Sequence, residues 1–161
     1  MIRPATSADA DQIIAIWNPE IRDTLVTFNA VEKTPDMIRD LVVEKSKAGH
    51  AFLVAETAGC IVGFALYGPF RAGVGYAHTV EHTIVLGDGA RGQGIGVQLM
   101  AAINQHAKAA GMHSMWAGVS SGNPDAVGFH AKLGFEYVAT LPEVGRKFDQ
   151  WYDLVLMRKR L

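Results

Sequence analysis

Apolar residues recur every three to four positions before residue 50 and alternate or run together after it, so the chain divides into a helical start and a β-rich remainder. After a short extended start at Ile2-Arg3, Ser7 is placed to cap a helix whose apolar face is Ala10, Ile13, Ile14, Trp17 and Ile21. Thr34-Pro35 opens a second helix with a cap residue and a first-turn proline; its face is Ile38, Leu41 and Val42, and Gly49 stops it. Two strands, Ala51 to Ala55 and Ile61 to Tyr67, flank a hairpin turn at Thr57-Ala58-Gly59. A third strand runs from Thr79 to Leu86 and ends at Gly87-Asp88-Gly89. Gly92, Gly94 and Gly96 then open a helix carrying Val97, Leu99, Met100, Ile103 and Ala107, which Gly111 closes. The remainder reads as a strand (Ser114 to Val119), a helix begun by Asn123-Pro124 and ended by Gly134, and two strands, Phe135 to Thr140 and Trp151 to Met157.

The central strand–helix–strand portion predicts a parallel, right-handed βαβ unit. Hairpins on either side make the sheet mixed, so the expected class is α/β or α+β with about four helices, and not a doubly wound dinucleotide fold.

Composition narrows the function. With 161 residues and no linker or repeat, residues 1–161 are expected to form one domain. Fifteen basic and sixteen acidic residues leave a net charge of −1, which provides no electrostatic reason to bind nucleic acid. No apolar run approaches the ~20 residues that span a bilayer. Met1-Ile2-Arg3-Pro4 leads directly into polar residues, so a cytoplasmic protein without a leader is expected. Cys60 is the only cysteine, which excludes an internal disulfide. At the head of the apolar run Gly59-Cys60-Ile61-Val62, it reads as a small core residue. The histidines are scattered without ligand spacing, so no metal is expected. Hydrophobic residues at 49% against 19% charged suit a compact domain that buries some apolar surface in an oligomer.

The segment Arg91-Gly92-Gln93-Gly94-Ile95-Gly96 lies between a strand and a helix. Unpaired N–H groups at a helix start, with glycines that admit close approach, make a cradle for phosphate oxygens. A P-loop would need Lys-Ser/Thr after the glycines, and Val97-Gln98 stand there instead. The dinucleotide fingerprint G-x-G-x-x-G has different spacing.

Arg91-x-x-Gly94-x-Gly96 resembles the R/Q-x-x-G-x-G/A motif of the GNAT acyl-CoA-dependent N-acetyltransferases, whose loop grips the pyrophosphate of coenzyme A. The likeness continues through Val80-Glu81-His82-Thr83-Ile84-Val85-Leu86 before the loop, and through Asn123-Pro124 and His130-Ala131-Lys132-Leu133-Gly134-Phe135 after it. Gly145-Arg146-Lys147 followed by Trp151-Tyr152-Asp153 is similar to a C-terminal signature of the phosphinothricin and methionine sulfoximine acetyltransferase branch.

The resemblance implies a GNAT fold, acetyl-CoA as co-substrate and a small amino-acid analogue as acceptor: methionine sulfoximine, methionine sulfone or phosphinothricin. Transfer would be direct in a ternary complex, needing an amine that loses a proton and a stabilised oxyanion. Glu81 is the candidate base and an acceptor contact, sharing a strand face with Thr79 and Thr83. The plain alternative is an ion-paired strand glutamate. His130 stands where many members place a tyrosine that protonates the departing thiolate; a structural hydrogen-bonding role is the alternative. His82 faces away from Glu81 and is expected to be structural.

The resemblance also implies a splayed strand whose backbone at Ile84, Val85 and Leu86 meets the cofactor arm. Arg91, Gly92, Gln93, Gly94, Ile95, Gly96 and Val97 would meet its pyrophosphate, and Asn123 its arm, although helix capping explains Asn123 equally well. Arg71, with Phe70, Tyr76 and Thr83, would hold the acceptor, the guanidinium taking its acid group; Phe28 is a further candidate for that pocket. A homodimer is implied, with Trp151-Tyr152 in an interface or in the core. A different acceptor (a polyamine, a drug or a protein N-terminus) and a non-catalytic acyl-CoA sensor remain as rival readings.

Overall fold

A computed structural model describes all residues, 1–161. Seven strands form one sheet in the order β1-β2-β3-β4-β5-β7-β6. They are β1 (Ile2–Pro4), β2 (Phe52–Thr57), β3 (Cys60–Pro69), β4 (Thr79–Leu86), β5 (Ser114–Ser120), β6 (Glu136–Lys147) and β7 (Gln150–Arg160). Every pairing is antiparallel except β4 with β5. That parallel pair needs a crossover, which is helix α3 (Ile95–Ala109). The architecture is the expected mixed α/β sheet with four helices. None of the helices is long and apolar enough to cross a membrane.

Helices α1 (Ala10–Asp23) and α2 (Pro35–Ala48) cover one face, where Ile13, Trp17, Ile21 and Ile38 pack on Val54, Phe64 and Val85. Helix α3 packs Leu99, Met100, Ile103 and Ala107 on the other face, against Leu53, Ala65, Tyr67 and Met115. The short α4 (Pro124–Lys132) joins that second layer through Ala126, Val127 and Phe129. Thr34 caps α2 as expected, accepting the Met37 N–H, and Gly49 ends it at φ +69°.

Several boundaries differ from the sequence reading. Ser7 caps nothing: Ser7–Asp9 is a 3₁₀ turn closed by a Thr6/Asp9 capping box, and α1 begins at Ala10. Cys60 is exposed, because it pairs with Thr57 at the hairpin end, outside the covered part of β3. The last two strands run far past the expected Phe135–Thr140 and Trp151–Met157. Irregularities at Tyr137/Ala139 and Leu141/Gly145 let the hairpin bend and continue to a turn at Phe148-Asp149, both at positive φ. Polar and apolar residues do not alternate cleanly across such bulges, so this strand's true length was hidden.

Asp9 ties the start of α1 to the sheet. Its two oxygens accept from Arg3 at 2.8 and 2.9 Å and from the Thr6 N–H at 2.7 Å, while Arg3 Nε donates to Glu56 at 2.8 Å. The Arg3 guanidinium, together with the Thr6 donors, holds the buried Asp9 carboxyl at about 2, below its ordinary 3.8. A depressed carboxylate stabilises the fold above its unfolded pKa, and that contribution is lost as pH falls through the folded value. We expect Asp9→Asn to cost about 2 kcal/mol near pH 7. In urea titrations the gap from wild type should shrink steadily between about pH 4 and pH 2.

Candidate active site

The site begins where β4 and β5 part. The strands pair at Thr79/Ser114, Val80/Met115 and Glu81/Trp116, and no further. Antiparallel pairing to β3 continues along all of β4, so that edge remains closed. Phe70 donates to Thr79 O and Gly87 to Val62 O, and the alternation between them turns Glu81, Thr83 and Val85 toward β3. The N–H and C=O of Ile84 and Leu86 therefore point into the gap.

A cleft of about 450 Å³ opens along this gap. Ile84, Val85 and Leu86 line it with Arg91, Gly92, Gly94, Gly96, Val97 and Asn123, and α4 adds Asp125, Ala126, Phe129 and His130. Gly94 caps α3 at φ +77°, and the first backbone bond of the helix runs from Gln98 N–H to Gly94 O, so the N–H groups before it lack helical acceptors. Gly92 and Gly94 have open space where a Cβ would stand, whereas a Cβ on Gly96 would press on Phe129 and Leu86 at 3.2 and 3.3 Å. The exposed Arg91 donates to Glu20 of α1 at 2.7 Å. Open glycines, a helix N-terminus and a guanidinium form a donor set that fits a pyrophosphate.

A second cavity of about 440 Å³ lies on the α1 side of the gap. Glu81 and Thr83 line it with Gly118, Ser120 and Leu154, and the loop after α1 contributes Val26, Thr27, Phe28 and Asn29. The Glu81 carboxylate lies over Gly118, where a Cβ would come within 2.8 Å of its oxygen. Burial raises the Glu81 pKa above its ordinary 4.5, and no cation pairs with it to offset this.

Asn123 and His130 line both cavities. The Asn123 side chain makes no capping bond, which removes the alternative explanation for that residue. His130 places Nδ1 2.6 Å from Ala126 O and Nε2 3.0 Å from Nε2 of His82. Burial lowers both histidines, His82 to about 3, with His130 pressing it further down; the Ala126 carbonyl partly counters the effect at His130.

A profile of the acetyltransferase (GNAT) family matches residues 15–135. The chain belongs to the GNAT family. It is 38% identical over 161 residues to an L-methionine sulfoximine/L-methionine sulfone acetyltransferase of Pseudomonas aeruginosa, covering 99% of this chain and 94% of that protein. Identity is 32% to a phosphinothricin N-acetyltransferase of Streptomyces coelicolor, covering 99% and 95%. Among solved structures, a ribosomal-protein-alanine N-acetyltransferase from Brucella melitensis superposes with a TM-score of 0.97 at 37% identity, covering 100% and 99%. A Salmonella typhimurium protein solved with its cofactor acetyl-CoA gives 0.96 at 32% identity, covering 100% and 93%. This GNAT protein is an acetyl-CoA-dependent N-acetyltransferase, with acetyl-CoA as co-substrate.

Within this GNAT chain the expected cofactor residues converge on one cleft, apart from Gln93 and Ile95, whose side chains do not line it. Phe70 packs at a tilt against Trp116, the register partner of Glu81, with ring centroids 4.9 Å apart. Arg71 lies in the exposed loop beyond it, 5.7 Å over the Tyr76 ring, and neither residue lines either of these two cavities. Glu20 and Gly118 escaped the sequence reading, and Gly145 and Lys147 stood in its C-terminal signature without a role. Glu20 continues the apolar stripe of Ile13 and Trp17, and a charge on a buried face was its only signal. Gly118 interrupts a strand, a sign of close approach. Gly145 gives the Phe28 ring room to lie against its backbone, and Tyr152 stacks on Phe28 at 6.2 Å. Lys147, buried, donates to Thr24 O and Thr27 O at 2.6 and 2.8 Å and so pins the loop that walls the second cavity. Lys147→Met would leave both carbonyls without this donor. We expect it to cost about 2 kcal/mol and to weaken acceptor binding, while acetyl-CoA binding stays unchanged by calorimetry.

Proposed function

We propose that this enzyme acetylates the α-amine of a small amino-acid analogue of the methionine sulfoximine, methionine sulfone or phosphinothricin type. The observation that carries this reading is the pairing of two cavities across one gap, with a half-buried Glu81 that no cation pairs in the second. A wall made from Phe28 stacked on Tyr152 and fastened by Lys147 suits a compact acceptor better than a polypeptide. The names of the Pseudomonas and Streptomyces relatives point the same way.

Acetyl-CoA supplies an acetyl group activated as a thioester. The Glu81 carboxylate takes the proton of the incoming ammonium, and its raised pKa makes it a stronger base than an exposed glutamate. Thr83 lies beside it on the same face. Backbone N–H groups of Ile84 and Leu86 are the donors available to a developing oxyanion. Arg91, Gly92, Gly94, Gly96 and Val97 hold the pyrophosphate, with the N–H of Ile95 and the Gln93 side chain, bonded to Gly89 O, shaping the loop. Asn123 meets the cofactor arm. Arg71, with Phe70 and Tyr76, lies outside both cavities, so it would meet the acid group only of an acceptor that extends beyond the second cavity. His130 stands at the meeting of the cavities.

Coenzyme A release should occur with these analogues and not with polyamines or a peptide bearing an N-terminal alanine. Glu81→Gln should lower kcat about a hundredfold or more. Because Glu81 acts ionised, the acidic limb of kcat/KM should lie above pH 4.5 and vanish in that variant. Turnover confined to the peptide would move the acceptor toward the activity named for the Brucella structure.

We further propose a cytoplasmic homodimer, with residues 1–161 as one catalytic unit. An exposed lone thiol suits a reducing compartment. The edge strand β6 exposes Tyr137, Val138, Leu141 and Val144, with Phe148 and Trp151 beyond, an apolar patch that a second copy would cover. Leu141→Glu combined with Val144→Glu should halve the sedimentation mass while leaving the circular dichroism intact. A monomeric wild type would end this reading.

A further inference from the structure

Two buried imidazoles meet beside the gap, and proton counting across them gives a definite arrangement. His130 is 4% exposed and His82 8%, with Phe135 edge-on to both rings at 5.3 and 5.6 Å. A carbonyl oxygen only accepts, so the 2.6 Å contact to Ala126 places a proton on Nδ1 of His130. The two Nε2 atoms, 3.0 Å apart, must share one proton, since two lone pairs or two N–H groups would repel. A neutral His130 has already used its proton at Nδ1, so the shared one sits on His82. Nδ1 of His82 is then a bare lone pair, and that atom is buried without a hydrogen-bond partner. An unsatisfied buried acceptor is costly and is not expected of a residue that merely fills space, where an apolar side chain would do better.

We propose that His82 is a positioning residue of the acetyl-transfer site. Through its Nε2–H it holds His130 as the neutral, Nδ1-protonated tautomer, with the ring fixed where the two cavities meet. His82 reaches this place because β4 alternates: Glu81 points to the α1 side of the second cavity, whereas the ring of His82, which borders the same cavity, turns toward His130 of α4. One strand thereby supplies a base to one cavity and an anchor to the wall between both. Neutral His130 has no proton to spare, since its one N–H is bonded to Ala126 and its other nitrogen accepts from His82; in the resting enzyme its ring is a fixed wall of both cavities and does not act as an acid. The kinetic part of this proposal rests on the acetyl-transfer reading above, whereas the tautomer does not.

Two-bond ¹H–¹⁵N spectra of histidine-labelled enzyme, assigned by difference against His130→Gln, should show Nδ1–H for His130 and Nε2–H for His82 at pH 7.5. The reverse pattern, or an imidazolium at His130, would overturn the proposal without any turnover being needed. His82→Gln places an amide donor near the lost Nε2–H, whereas His82→Phe keeps the ring and removes the donor. We expect His82→Phe to lower kcat about tenfold with an unchanged Kd for acetyl-CoA, and His82→Gln to return to within about threefold of wild type. A folded His82→Phe with wild-type kcat would also overturn it, as would a His82→Gln that falls equally far. Should His82→Phe not fold, the spectra and His82→Gln still decide. A wild type that transfers to none of the amines tested would instead defeat the acceptor reading, with the spectra still judging the histidine pair.

Discussion

The parting of β4 from β5 after the Glu81/Trp116 pair is the constraint on which the rest of the site depends. A strand released on one edge would ordinarily leave its polar backbone unsatisfied in the middle of a sheet. Here β3 keeps β4 straight along its other edge, and the unpaired groups of Ile84 and Leu86 face an open cleft instead of packed side chains. Both cavities follow from that geometry. The one on the side of α3 and α4 has a helix N-terminus and glycines for an anion. The other has a carboxylate and an aromatic wall. The gap joins them, which is what direct transfer between two bound substrates demands.

Charges around the gap are managed differently from one another. Glu20 and Arg91 neutralise each other across the cleft mouth. Lys147 is satisfied by two carbonyls and so fastens a loop without placing a charge in the cavity it shapes. Glu81 alone is left without a cation, and burial drives its pKa upward. An ion-paired Glu81 would be more comfortable in the fold, and its pKa would be lower. The oxygen-sized space above Gly118 is part of the same arrangement, since any side chain there would displace the carboxylate. The histidine pair is a third solution: two imidazoles kept neutral, ordered by a single shared proton and a carbonyl.

Local sequence determined a great deal of this protein. Element order, the crossover helix, the αL stop at Gly49 and the glycine cradle before α3 were legible, because helix periodicity, caps and turns are set by residues within a few positions of one another. The resemblance to the GNAT motif added the splay and the gathering of Asn123 with the loop, which no local rule contains. Tertiary structure alone decided the features that depend on residues far apart in the chain. Cys60 is exposed because of where its hairpin ends, and the long bent β6–β7 hairpin depends on bulges that break the alternation. Glu20 meets Arg91 across 71 positions, Lys147 reaches Thr24 across 123, and His82 meets His130 across 48. A side chain's type and spacing tell what it can bond; only the folded chain determines which distant partner stands within 3 Å of it, and hence which histidine carries the proton.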